Sequence, residues 1–199
     1  MRDMHHIESL LSSKKVEIYK KKNSEGWFLD YSKELNNVKE SFIYLHFLEI
    51  FLRNRISEEF QNRFGEWVFE ESFLVYLKDI ERKKIEDVKI KLRRSKKEEN
   101  IDNVVSNLNL GFWVNLFHKN YRTSIWEKDK VIIDVFPFFK REQRSLTKVK
   151  SELEAIRKFR NRVFHFENMQ SWDFDNMNML IKKYIYGISS IDIDDLLKV

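Results

Sequence analysis

The chain has 199 residues, with 37 Lys and Arg against 32 Asp and Glu, a formal charge of +5, four Gly, one Pro and no Cys. Such a length is ample for a packed core. The scarcity of Gly and Pro excludes collagen, Pro-rich linkers and most all-β folds, and the absence of Cys excludes disulfide scaffolds, thiol nucleophiles and Cys-type zinc sites.

A helical period runs almost throughout the chain, and no tandem repeat or linker divides it. Residues 1–199 therefore read as one all-α domain, a bundle of six or seven helices. Arg2-Asp3-Met4-His5-His6 opens a charged stretch rather than an apolar signal core. A first amphipathic segment spans about Ile7 to Lys22 and breaks at Asn23-Ser24-Glu25-Gly26. A long second helix is expected from cap candidates Asp30 and Ser32 to a stop at Gly65. Its apolar stripe is Leu35, Val38, Phe42, Leu45, Leu48, Leu52, Ile56 and Phe60.

Glu66 to Leu77 is aromatic-rich and reads as a short helix. Lys78 to Glu99 reads as a charged helix with a thin apolar seam, and residues 78–100 are a candidate insertion. Its run of Lys89, Lys91, Arg93, Arg94, Lys96 and Lys97 suits either an RNA backbone or plain solvation, since Glu86, Asp87, Glu98 and Glu99 dilute it. Val104 to Phe117 is helical again, and Gly111 inside it suggests close packing against a neighbour. Val131 to Phe136 has β-branched character that fits a short strand, although a lone strand has no partner here. Ser145 is positioned to cap a helix from about Leu146 to Phe166, and a last long helix follows Asp173. The tail at Asp192 to Leu197 reads as one further turn. Tryptophan and phenylalanine at this spacing are mostly core.

Chemistry concentrates in Ala155-Ile-Arg157-Lys158-Phe-Arg160-Asn161-Arg162-Val-Phe-His165-Phe-Glu167. A histidine exchanges a proton near neutral pH, and an arginine stabilises a phosphoryl group through paired N–H donors. Together they suffice for a reaction that needs no metal: attack of an RNA 2′-hydroxyl on its own neighbouring phosphate, leaving a 2′,3′-cyclic phosphate and a 5′-hydroxyl. An Arg followed at five positions by His is common by chance in so basic a chain, so the surrounding motifs matter. Two are present: Leu48-Glu49-Ile-Phe-Leu52-Arg53-Asn54 in the long helix, and Gly111-Phe-Trp113 in mid-chain.

Taken in order, these three segments resemble the Abi-like (abortive phage infection) branch of the HEPN superfamily of helical ribonucleases. The resemblance implies an all-α, HEPN-like bundle with additional helices. It implies an endoribonuclease of phage-defence or toxin type, needing no metal and no cofactor, in which two copies of the motif meet at a homodimer interface. Arg160 and His165 would be catalytic with Asn161 as polar companion. Arg162, Arg157 and Lys158 would contact the RNA substrate, and Glu49, Arg53 and Asn54 would support the site from the long helix. An antitoxin or a non-coding RNA is an expected further partner. A chain without Cys suits a reducing cytoplasm, and no apolar run reaches the roughly 20 residues that cross a bilayer. The alternative is a catalytically silent helical module that binds RNA or a protein.

Helix geometry qualifies the assignment. At 100° per residue, Asn161 and Arg162 lie about 40° and about 60° from His165, whereas Arg160 lies about 140° away beside the apolar stripe of Ile156, Phe159 and Val163. Either Arg160 reaches around, or the helix loosens near Phe164, or Arg160 is buried and paired, with Glu49 as the candidate carboxylate. In the last case Arg162 is the residue that meets phosphate. Glu49 and Arg53 would also make an ordinary i, i+4 ion pair. Of the other histidines, His5 and His6 sit near the terminus, His46 in an apolar neighbourhood and His118 at a helix end, so a second catalytic imidazole is expected from His165 of a two-fold partner.

Overall fold

A computed structural model of the chain describes residues 2–127, 130–165 and 167–198, with side chains from residue 6 onward. Among these residues the protein is all-α, without a strand. The helices are α1 (Arg2–Leu11), α2 (Ser13–Lys22), α3 (Trp27–Phe64), α4 (Glu71–Leu74), α5 (Asp79–Arg94), α6 (Ile101–Asn107), α7 (Leu110–Asn115), α8 (Val131–Val135), α9 (Leu146–Phe164), α10 (Phe174–Ser189) and α11 (Ile193–Leu196). No helix among the described residues is long and apolar enough to cross a membrane.

The organising element is α3, whose 38 residues make a rod of about 57 Å at 1.5 Å per residue. Its stop is at Gly65, which takes φ 64°, a conformation glycine adopts without steric cost. Its start differs from expectation: it begins at Trp27, ahead of Asp30 and Ser32. The side chain of Asn23 closes the preceding turn, accepting from the Gly26 N–H (2.8 Å) and donating to Asp30 (3.1 Å), so the helix is nucleated three residues earlier.

Other boundaries also move. The first segment is two helices, because Ser12 sits at φ 71° and breaks the ladder between α1 and α2. The stretch from Val104 to Phe117 divides at Asn109, whose side chain accepts from the Phe112 N–H (3.0 Å) and starts α7 anew. Residues Val131–Val135 are helix α8, not a strand. Its apolar residues, Val131 and Val135, lie four apart and both face the core, which a helical turn satisfies without any neighbouring strand. Ser145 stands at the start of α9 but makes no side-chain capping bond. That helix ends at Phe164, and Phe166 lies outside the described residues.

The main core runs along α3 from Leu45 to Phe60 and takes in α5, α6, α7, α8, α9 and α10. The longest packing seam joins α3 to α10, and the buried Ser41 hydroxyl donates to Asn178 Oδ1 (2.7 Å) across it. Trp67, Trp113 and Trp126 are fully enclosed, each indole N–H donating to an oxygen: Ser57 Oγ, the Leu108 carbonyl and the Leu116 carbonyl. The charged helix α5 contributes Ile85 and Leu92 to this same core. A satellite core of Val16, Tyr19, Trp27 and Tyr31 fastens α2 to the start of α3.

The apolar stripe of α3 is only partly interior. From Leu45 onward it is enclosed, but Leu35 is 43% and Phe42 45% exposed. These two leave an open apolar face in the first half of α3 that lies next to the close of α9.

Candidate functional site

Arg160 projects from α9 toward α3, where its Nε donates to Glu49 Oε2 at 3.3 Å; both side chains are about one-quarter exposed or less. Its guanidinium carbon lies 4.0 Å from the centroid of the Phe164 ring, which in turn stacks on exposed Phe42 at 4.9 Å. Of the three alternatives the helical wheel leaves open, two are realised together: Arg160 pairs with Glu49, although partly exposed, and the helix ends at Phe164, just before His165. The pair is partly buried rather than sealed, with half-buried Phe164 and exposed Phe42 beside it. Only Nε of the guanidinium makes a hydrogen bond among the described residues. The four N–H donors of the two Nη groups remain to meet an anion.

His165 is the residue that closes α9, with φ −96° and ψ 8°, and its backbone N–H donates to the Asn161 carbonyl at 3.0 Å. Its imidazole is exposed and makes no side-chain hydrogen bond or ion pair among the described residues. Leaving the helix at this point swings the residue off the ideal wheel, so the angles computed for a continuous helix do not apply to it. Asn161 is half-buried between the two arginines in sequence.

Arg162 does not join Arg160. It ion-pairs with Glu167 at 3.0 Å and lines a pocket of about 150 Å³ on the side of α9 that faces α2 and the first turns of α3. Arg157 is bound by Glu154, and Glu154 also holds Lys150 at 3.1 Å. Burial raises the pKa of Glu154, but the bonds to Arg157 and Lys150 outweigh it and hold the carboxyl below its ordinary value. Lys158 is exposed.

The supporting residues from the long helix separate. Glu49 serves Arg160, so the i, i+4 pair with Arg53 does not form. Arg53 instead donates to the Ser106 carbonyl (3.3 Å) and to its neighbour Asn54 (3.2 Å), tying α3 to α6. Gly111 packs on α9 as its position suggested: a Cβ there would stand 3.7 Å from Arg157 Cδ and 3.1 Å from Asn109 Oδ1. Half of the basic run on and just after α5 is occupied, while Arg94, Lys96 and Lys97 are exposed. Lys89 is buried with its ammonium 4.5 Å from the Phe69 ring centroid, Arg93 pairs with Glu86 and Glu99, and Lys91 donates to Asn107. His46 is exposed on α3, and His118 accepts from the Asn120 N–H (3.3 Å).

Two features escaped sequence reasoning. One is Glu34, a buried carboxylate on α3: its Oε1 accepts from the Tyr19 hydroxyl (2.7 Å) and from the Met169 N–H (3.1 Å). It thereby ties α2, α3 and the loop that follows His165 into one unit. The available signal was a glutamate within a turn of Tyr31 and Val38, a pattern that reads equally as a solvated flank. The other is a cleft of about 480 Å³ between exposed Phe138 and Tyr186, with Lys140, Lys182 and Asp194 on its walls. None of the predicted site residues borders it. A scan against protein-family models, a search of curated proteins and a search of solved structures each return no match for this chain.

Proposed function

We propose that the chain is a metal-independent endoribonuclease of HEPN type, acting as a homodimer in phage defence or as a toxin. The observation behind this reading is that the end of α9 carries both an exposed His165 imidazole without a side-chain partner among the described residues and an Arg160 whose Nη groups make no hydrogen bond there and whose position Glu49 and Phe164 fix. Side chains held by packing and an ion pair are the geometry that electrostatic stabilisation of a phosphoryl group requires.

In the proposed reaction a neutral imidazole removes the proton of the RNA 2′-hydroxyl. The 2′-oxygen forms its bond to phosphorus as the bond to the 5′-oxygen breaks. An imidazolium returns a proton to the departing 5′-oxygen. Arg160 offers its Nη donors to the two non-bridging oxygens, whose charge grows in the transition state. One imidazole per chain serves one of the two proton transfers, so a two-fold partner supplies the other. The open face of Phe42, Ile43 and His46 beside Phe164 supports a self-association surface at this place. Substrate RNA, the second copy and an antitoxin or non-coding RNA regulator are the partners of this reading, and the cytoplasm is its compartment.

The test is cleavage of RNA in EDTA by wild-type protein and by His165→Ala. Cleavage that persists in EDTA and is lost in the variant is expected; cleavage retained by His165→Ala contradicts the reading. One observation favours the second reading, a silent binding module. The Arg160–Glu49 contact also performs an architectural task by joining α9 to α3. That reading predicts RNA binding with no cleavage under any condition.

A further inference from the structure

The pocket of about 150 Å³ beside the motif is bounded by Glu34, Leu35 and Val38 of α3, Lys15 of α2, Arg162 at the end of α9, and Glu167. Glu34 is only 9% exposed, and its Oε2 is buried with no hydrogen-bond partner among the described residues. A buried carboxylate oxygen without a donor is unfavourable and is normally satisfied. Its other oxygen already accepts two hydrogen bonds, from Tyr19 and Met169, so the side chain cannot turn away without losing both.

The walls of the pocket differ in character. Glu34 offers an acceptor, and Arg162, one of whose N–H groups holds Glu167, brings further donors. Leu35 and Val38 give an apolar side, and the Lys15 ammonium lies 5.3 Å from the Tyr31 ring centroid. A flat, largely apolar ligand that carries an amino donor next to a ring acceptor would match all of these. Adenine, cytosine and guanine each have an exocyclic amine beside an acceptor, whereas uracil has none.

We propose that this pocket receives a nucleobase bearing an exocyclic amine, with Glu34 Oε2 accepting from the amine and Arg162 donating to the adjacent acceptor. The proposal deepens the nuclease reading and rests on it for the link to cleavage: the base would belong to the nucleotide neighbouring the scissile linkage, because Arg162 and His165 lie three residues apart. Glu34 is then a specificity-determining residue, and the same carboxylate, through Met169, fixes the loop that follows His165.

The experiment is calorimetric titration of the wild-type chain with AMP, CMP, GMP and UMP, alongside mapping of cleavage positions on a mixed-sequence RNA. At least one amino-bearing nucleotide is expected to bind about tenfold or more tightly than UMP, the worth of one good hydrogen bond to a charged acceptor. Glu34→Gln keeps an oxygen for Tyr19 and Met169 but replaces the free acceptor by a donor, so it is expected to erase that preference or turn it toward UMP. Val38→Phe fills the pocket from a half-buried wall position and is expected to abolish binding of all four, which serves should Glu34→Gln not fold. Equal binding of UMP, no binding of any nucleotide, or an unchanged preference in Glu34→Gln overturns the proposal. Cleavage dependent on His165 but indifferent to base overturns the pocket and leaves the nuclease. Amine-selective binding without cleavage supports the pocket and overturns the nuclease.

Discussion

Arg160 and Glu49 are separated by 111 residues in the chain and by 3.3 Å in space. The contact joins the last turns of α9 to the middle of α3, and it fixes the arginine on which the proposed chemistry depends. A half-buried pair of this kind is worth only about 1 kcal/mol after solvent screening. Glu49→Gln is therefore expected to lower the denaturation free energy by about 1 kcal/mol. A purely structural role would give Arg160→Ala the same modest effect on stability and none on rate. The proposed role predicts a rate loss on the order of a hundredfold or more for Arg160→Ala, as for removal of a single charge-stabilising donor, and a smaller loss for Glu49→Gln.

Self-association is predicted to use the open face in the first half of α3. Phe42 is 45% and Ile43 36% exposed, and Phe42 already stacks on Phe164. Ile43→Glu places a charge in that face without touching the Arg160–Glu49 pair. Sedimentation is expected to show a dimer for the wild-type chain and a monomer for the variant, with cleavage lost in parallel. A variant that remains dimeric and active moves the interface elsewhere.

Acid should loosen two joints. The Lys182 bond is the first cause that holds Asp194 below its ordinary value near 3.8, and Glu154 is held below 4.5 by Arg157 and Lys150 against the opposing effect of burial. A carboxyl depressed in the folded state binds its proton more readily when unfolded. It contributes stability above its ordinary pKa, and that contribution fades as the pH falls through the folded value. Stability measured by denaturant is thus expected to decline below about pH 4.5. Glu154→Gln should flatten that decline, and an unchanged pH dependence would contradict the assignment.

Packing at α10 supplies a sharper structural check. A Cβ built on Gly187 would clash with the edge of the Phe139 ring, and the Phe138 N–H donates to the Gly187 carbonyl at 3.1 Å. The ring and the helix touch only because no side chain stands between them. Gly187→Ala is predicted to cost about 1–3 kcal/mol by overpacking, despite its gain in helix propensity. A neutral or stabilising result would mean that Phe139 moves freely.

Much of this arrangement was legible in the sequence, and the remainder was hidden for identifiable reasons. Gly65 announced the end of α3, because a positive φ is inexpensive only for glycine. The helical wheel placed Arg160 on the flank of the apolar stripe, and the need of a partly buried guanidinium for a carboxylate pointed to Glu49. Residues 131–136 also fit a short strand because six residues, five of them apolar, hold no period long enough to separate helix from strand. The division at Asn109 was masked because Leu108 and Leu110 continue the apolar pattern across the cap. The wheel angles for His165 hold only for a continuous α9, whereas the helix ends one residue before it, as the alternative of a helix that loosens near Phe164 allows. Glu34 was invisible because a sequence does not distinguish a carboxylate on a solvated flank from one enclosed by a tyrosine and a backbone N–H 135 residues away.

The central claim is that His165 and Arg160 carry out a transesterification on RNA without a metal. The measurement that bears on it most directly is the chemistry of the RNA ends made by the purified wild-type chain in EDTA. The account predicts 2′,3′-cyclic phosphate and 5′-hydroxyl termini, and no product from His165→Ala. Products with 3′-hydroxyl and 5′-phosphate ends, or cleavage that appears only with a divalent cation, would contradict it.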